Sequence, residues 1–161
     1  KRTPTTLGKI MLKKLLTTSL IAVALTTVGC ATTQTTTKQQ ETLNQLQNKT
    51  WILTHIGATE FKTDPSAHNV PSIQFDAATQ RVSGADGCNR LMGAYAINKD
   101  KISLSQLAAT QMMCMNTTEL ANQYNSALAK VAGFQVYDKT LRLLDEHGNP
   151  VLQFESAIQP R

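Results

Sequence analysis

The sequence predicts an α+β domain that consists of an antiparallel sheet and one main helix. Several short segments alternate apolar and polar residues at a period of two, which is typical of half-buried strands. One longer segment repeats apolar residues at the helical period. Strands and helices do not alternate along the chain, so the pattern favours an antiparallel sheet over one built from repeating βαβ units.

Five of the strands come before the helix. Ile73 and Phe75, for example, lie on one face of their segment because a polar residue separates them. Gly84 and Gly87 make the segment 83–90 a candidate bulge or sharp bend where two backbones approach closely. The predicted strands cover residues 51–56, 72–76, 81–84, 93–97 and 102–104, and an extension of the last strand to Leu107 is the alternative.

The helix is predicted over residues 117–132, with Asn116 as its N-cap and Gly133 just beyond its C-terminus. Its spacing places a single apolar stripe on one face, formed by Leu120, Tyr124, Ala127, Leu128 and Val131. Three further strands follow, at residues 134–137, 141–144 and 151–154, separated by turn-forming residues.

The formal charge of +5 does not indicate a nucleic-acid-binding protein, because of where the charges lie. Five of the 16 basic residues precede Cys30, and no acidic residue does. The chain from Cys30 onward therefore carries equal numbers of basic and acidic residues. A neutral domain lacks the counterion release that drives non-specific binding to nucleic acid.

Residues 1–29 are predicted to be an upstream extension followed by a lipoprotein signal peptide that starts at Met11. A basic pair and a short apolar stretch lead to the sequence TVGC at 27–30, which resembles a lipobox. Thr27 stands where leucine is usual, so an ordinary secretory signal cut nearby is the alternative. Lipidation of Cys30 would anchor the protein to a membrane. Ala31 after the cysteine suggests the outer membrane, facing the periplasm.

The mature chain is predicted to comprise three parts. Residues 30–47 are rich in Thr and Gln and contain no aromatic residue, so we expect a flexible tether after the lipidated cysteine. The domain is expected over residues 48–156 and a short tail over residues 157–161. Nothing in the sequence indicates an oligomer, and we expect a monomer.

Three motifs together resemble the META domain of HslJ-like heat-shock lipoproteins. These are WIL at 51–53, VSG at 82–84 leading into GCNR at 87–90, and TQMMC at 110–114. The resemblance implies a curved antiparallel sheet or conical partial barrel with a helix packed across it. It also implies an envelope location and links to heat shock and novobiocin tolerance. It implies no established enzymatic activity, and we expect no catalytic residues.

Cys88 and Cys114 are the two cysteines that remain once Cys30 is lipidated. Two cysteines in an oxidising compartment favour a disulfide. Free buried thiols and a redox or catalytic thiol are the alternatives. No cofactor is expected. The three histidines lack the paired spacing of a metal site. They also lack a motif that would place a histidine beside a cysteine thiolate.

Asp86, Asn89 and Arg90 form a polar group inside the glycine-containing bend. Asp86 could accept backbone N–H groups of the turn and pair with Arg90. The group is therefore expected to hold the bend, and a ligand contact is the alternative.

An apolar binding site between helix and sheet is a second hypothesis. Met112 and Met113 are flexible enough to repack around a guest, and Leu128 would line the site. Tyr124 would supply a polar group at its edge. The alternative is that these side chains only fill the core.

Three classes of function follow from these observations. The leading one is a non-enzymatic envelope lipoprotein that binds an envelope protein or a small apolar ligand during envelope or heat-shock stress. The second is a thiol-dependent hydrolase or redox enzyme that uses Cys88 or Cys114. The third is a structural spacer without a ligand-sized cavity.

The lipobox-like sequence generates the first testable prediction. Cys30→Ser should release the protein from membranes or leave the precursor unprocessed, because the thiol that would carry the lipid is gone. Fractionation of membranes checks the variant. Mass spectrometry of the mature wild-type protein should show acyl chains on residue 30, and an unmodified residue 30 would contradict the prediction.

Overall fold

A computed structural model describes residues 31–62, 67–114 and 117–157 of the chain. Cys30 and Asn116 lie outside these residues, so the lipidation site and the expected N-cap are not described. Within the described ranges, no helix is long and apolar enough to cross a membrane.

Nine strands and two helices make up the described fold. The helices are α1 (Ala31–Leu46) and α2 (Thr118–Leu128). The strands are β1 (Thr50–Ile56), β2 (Thr59–Glu60), β3 (Ser72–Phe75), β4 (Arg81–Ala85), β5 (Arg90–Asn98), β6 (Lys101–Ala109), β7 (Gly133–Tyr137), β8 (Thr140–Leu144) and β9 (Pro150–Ser156).

The strands form one antiparallel sheet in the order β2-β1-β3-β4-β5-β6-β7-β8-β9. Strand β1 also pairs with β9, so the sheet curls round and its two ends meet. The ring is incomplete between β6 and β7, which pair only at Lys101 and Gly133. The expected α+β fold with a curved antiparallel sheet in a partial barrel is therefore confirmed.

The core lies inside this curved sheet. Alternate residues of each strand point inward, as Ile73 and Phe75 do on β3, and Leu152 and Phe154 do on β9. At Gly84 of β4 the neighbouring strand is so close that a Cβ atom would collide with the backbone carbonyl of Ser72. The close backbone approach predicted for this segment is thus present.

Helix α1 replaces the flexible tether that we expected at residues 30–47. Leu46 is fully buried in the core, and its carbonyl accepts a hydrogen bond from the indole Nε1 of Trp51 at 2.8 Å. Gln47 donates to the hydroxyl of Tyr95 at 2.7 Å. Burial of one face against the sheet compensates for a Thr-rich sequence with low helix propensity. The packed domain therefore begins within α1 rather than at residue 48.

Helix α2 is shorter than the predicted 117–132. Its buried residues are Ala121, Tyr124, Ala127 and Leu128, which follows the predicted stripe in its central part. After Leu128 the backbone tightens into one turn of i→i+3 hydrogen bonds and then joins the sheet, where the Ala132 N–H donates to Leu144. Gly133 is consequently the first residue of β7 rather than a helix cap.

Candidate functional site

A buried carboxylate organises the bend between β4 and β5. The side chain of Asp86 is fully buried, and its Oδ1 accepts the backbone N–H groups of Cys88 at 2.9 Å and Asn89 at 2.6 Å. Its Oδ2 accepts a bond from Nδ2 of Asn125 on α2 at 3.0 Å and lies 3.4 Å from Nδ2 of Asn89. The carboxylate therefore holds the backbone of the bend together and links the bend to α2.

Asn69 holds the bend from the other side. Its Oδ1 accepts the N–H of Gly87 at 2.8 Å, and its Nδ2 donates to the carbonyl of Cys88 at 2.9 Å. Gly87 has a φ of +98°, and a Cβ there would lie 2.8 Å from Leu120 of α2. The positive φ favours glycine, and a larger residue would also require the Leu120 side chain to move. The predicted role of the polar group in holding the bend is present in the structure.

The segment after β6 is fastened to the same bend at two points. Oδ1 of Asn89 accepts the N–H of Met112 at 2.9 Å. Cys88 and Cys114 form a disulfide, with an S–S distance of 2.02 Å and Cα atoms 5.9 Å apart. The expected disulfide is therefore confirmed in the structure, and the free-thiol alternative is not observed.

The expected ion pair between Arg90 and Asp86 is absent. Amide groups occupy both oxygens of Asp86, whereas the side chain of Arg90 is exposed to solvent. Arg90 lines an open groove of about 440 Å³ on the sheet, together with Met92 of the same strand. Of the three polar residues predicted here, Asp86 and Asn89 stabilise the bend and only Arg90 faces outward.

The apolar site proposed between α2 and the sheet has no room for a guest. The cavity beside Leu128 has a volume of about 10 Å³, and Ile73, Val82 and Leu91 also line it. That volume holds about one water molecule. The prediction that Leu128 lines a ligand-sized site between the layers is therefore wrong, because the inward side chains of the sheet meet the helix directly.

Tyr124 is not at the edge of a site but in the centre of the core. It is fully buried, its ring packs edge-on against Phe154 with centroids 6.3 Å apart, and its hydroxyl donates to the carbonyl of Ser72 at 3.0 Å. Burial raises the pKa of Tyr124, and the negative charge of Asp86 raises it further. The phenol is thus a neutral donor that fixes α2 to β3.

Met112 and Met113 lie on the surface, with 46% and 98% of their area exposed. Leu107, near the end of β6, is 41% exposed, so three large apolar side chains lie within the stretch 107–113. We call this stretch the apolar segment. Sequence reasoning identified the two methionines but assigned them to an interior site and did not single out Leu107. The signal that could have located the segment is the absence of any charged residue from 102 to 118.

Neither His55 nor His147 lies at this site. Nδ1 of His55 on β1 lies 3.1 Å from the hydroxyl of Thr54 and 3.3 Å from Nε2 of Gln153, and His147 lies in an exposed turn beside Glu146. Among the described residues, no group of three or more His, Cys, Asp or Glu side chains could hold a metal ion.

The disulfide generates a stability prediction. Cys88→Ser and Cys114→Ser should each lower the free energy of unfolding by about 3–4 kcal/mol, because a closed loop of this length restricts the unfolded chain. The double variant should be little less stable than either single variant, since all three lose the same bond. Urea unfolding measures the three values, and clearly additive losses would show that the two sulfurs act separately.

Three solved structures show the same fold. A protein from Burkholderia xenovorans, solved by NMR, is 25% identical, with a TM-score of 0.56 over 71% of this chain and 85% of its own. A second NMR structure is 27% identical, with a TM-score of 0.56 over 71% of this chain and 93% of its own. A DUF4847 family protein from Bacteroides vulgatus is 18% identical, with a TM-score of 0.52 over 73% and 99% of the two chains, and this likeness concerns the fold alone.

No curated protein matches the sequence. The model of the META domain family matches residues 44–158. This match starts inside α1, in agreement with the burial of Leu46, and it includes both motifs that contain the cysteines of the disulfide. The match spans most of the chain, and the chain therefore belongs to the META domain family.

Proposed function

We propose that this protein is a non-enzymatic envelope lipoprotein whose META domain binds a protein partner through the apolar segment 107–113. The lipobox-like sequence at 27–30 supports the anchor, and the disulfide between Cys88 and Cys114 is in keeping with an oxidising compartment. By resemblance to the family, the role is assigned to envelope or heat-shock stress and antibiotic tolerance.

The exposure of the apolar segment carries this proposal. Single exposed apolar residues are common, but several in a short stretch indicate a contact surface. Methionine suits such a surface because its flexible, polarisable side chain adapts to the shape of a partner. Met113 has 98% of its area exposed, so its side chain contributes almost nothing to the packing of the fold.

The apolar segment is also held in place before any partner arrives. The disulfide fixes Cys114 at one end, and the hydrogen bond from Met112 to Asn89 fixes the backbone beside it. A surface that is already ordered loses less conformational entropy on binding. This arrangement favours a docking surface over a loose loop.

Two alternatives receive less support. A small apolar ligand would find a cavity of only about 10 Å³ between helix and sheet, so a protein surface is the better candidate for the partner. A thiol-dependent enzyme would need a free thiolate, and both sulfurs of Cys88 and Cys114 are bonded to each other.

Site-specific photo-crosslinking in living cells tests the proposed surface. A photo-reactive residue at position 113 should form a discrete adduct with one envelope protein. The matched control is position 137, where Tyr137 on β7 is also apolar and 84% exposed but lies outside the apolar segment. Leu107→Lys should reduce the adduct about tenfold by placing a charge in the contact, whereas Tyr137→Lys should not.

The outcome that contradicts the proposal is equally concrete. Equal labelling from positions 113 and 137, or an adduct at 113 that survives Leu107→Lys in full, would show that the segment is not a specific contact surface.

A further inference from the structure

The outer edge of β6 is largely unpaired, although it lies inside a sheet that is otherwise nearly closed. Its only paired residue on the β7 side is Lys101, opposite Gly133, and the Ile102 N–H donates to the Ala132 carbonyl at 3.2 Å. Residues 129–131, which precede Ala132, form the tight turn after α2 and do not pair with β6. Strand β6 itself continues to Ala109.

The hairpin geometry shows which backbone groups this edge presents. Strands β5 and β6 are joined by a two-residue loop, so Asn98 and Lys101 form a hydrogen-bonded pair. Hydrogen-bonded pairs then recur at every second position up to Ala94 and Ser105. The N–H and C=O of Leu104 therefore point away from β5. Within the described ranges, Leu104 has no strand partner on that side.

This edge also lacks most of the features that normally prevent strand addition. Exposed edges are commonly protected by lysine, proline or a bulge. Residues 102–118 contain no charged residue and no proline, and every residue from Ser105 to Ala109 is exposed. The one protective irregularity in β6 is a bulge at Gln106, which has a left-handed φ of +52°. The register with β5 shifts at the same place, between Met92 and Ala94.

We propose that the outer edge of β6 accepts an extended, uncharged peptide segment of the partner protein as an additional strand. This inference rests on the proposed function, and it specifies how that partner is bound. Main-chain hydrogen bonds to the edge would provide affinity, and the side chains of the apolar segment 107–113 would contact alternate residues of the added strand. The peptide must be uncharged along this edge because residues 102–109 of β6 offer no opposite charge to a group that loses water there.

The same geometry disfavours a symmetric dimer in which two copies of β6 pair about Leu104. Antiparallel self-pairing of β6 centred on Leu104 would place Gln106 of the second copy opposite Ile102. The outward N–H of Ile102 is already bonded to Ala132, and β7 begins at the next residue. A peptide from another protein meets no such obstacle, because it can begin opposite Leu104 and run only toward Ala109.

The test uses the full chain and two synthetic probes. The first probe is an eight-residue peptide of alternating valine and threonine with blocked ends. The second is the same peptide with alternate backbone nitrogens methylated, which removes the donors along one edge and leaves the side chains unchanged. The first peptide should bind and slow amide hydrogen exchange at Leu104 by about tenfold or more, and the methylated peptide should bind at least about tenfold more weakly.

Two variants at one position provide the matched comparison. Leu104→Pro removes the outward N–H and should abolish peptide binding. An edge strand tolerates proline at such a position, because the nitrogen does not take part in the pairing with the neighbouring strand. Leu104→Ala shortens the same side chain but keeps the N–H, and should retain binding within a few fold. Should the proline variant fail to fold, as judged by its circular dichroism, the two peptides on the wild-type chain decide the question alone.

The inference would be overturned by no binding up to about 1 mM peptide, by equal binding of both peptides, by unchanged binding to a folded Leu104→Pro variant, or by a dimer of the full chain that Leu104→Pro abolishes. An adduct from position 113 that persists in Leu104→Pro would reject strand addition and leave the proposed function intact. The same conclusion would follow if Leu107→Lys removed the adduct and a folded Leu104→Pro variant did not.

Discussion

The hydrogen bonds to the buried carboxylate of Asp86 position the parts of the molecule that meet at the bend. A charged group without contact to water is costly unless polar groups surround it, and here the donors are two backbone N–H groups of the bend and the side-chain amides of Asn89 and Asn125. None of these donors carries a charge. The bend and α2 therefore share one electrostatic anchor, and movement of either would remove donors from the buried carboxylate.

The anchor determines where function can lie. Because Asn125 holds α2 against the bend, the neighbouring Tyr124 reaches Ser72 on β3, and Leu128 closes the core to a cavity of about 10 Å³. The interior is thus filled, and the surface is left for recognition. On that surface, the bend also fixes the chain after β6 through Asn89 and the disulfide, which presents Met112 and Met113 to solvent. The proposed contact surface is therefore a consequence of the same bend.

Much of the fold could be predicted from local patterns, and the failures have physical reasons. The period-two alternation located the strands because their inner faces are buried, as at Ile73 and Phe75. The tether prediction failed at α1, since the composition of residues 30–47 conceals how well Leu46 fits the core. Pairing of Arg90 with Asp86 was expected from charge alone, but backbone and side-chain amides are closer donors. The helical stripe identified Tyr124 and Leu128 as inward-facing, yet periodicity contains no information on the distance between layers.

Asp86 couples the bend to α2, and a double-mutant cycle between Asp86 and Asn125 tests this coupling most directly. Urea unfolding with the disulfide intact would give the stabilities of Asp86→Ala, Asn125→Ala and the double variant. We predict that Asp86→Ala lowers the free energy of unfolding by about 3 kcal/mol, because it leaves several buried donors without an acceptor. The coupling energy between the two positions should be at least about 1 kcal/mol. Losses that add to within about 0.5 kcal/mol would contradict the account, because they would show that the helix does not depend on this carboxylate.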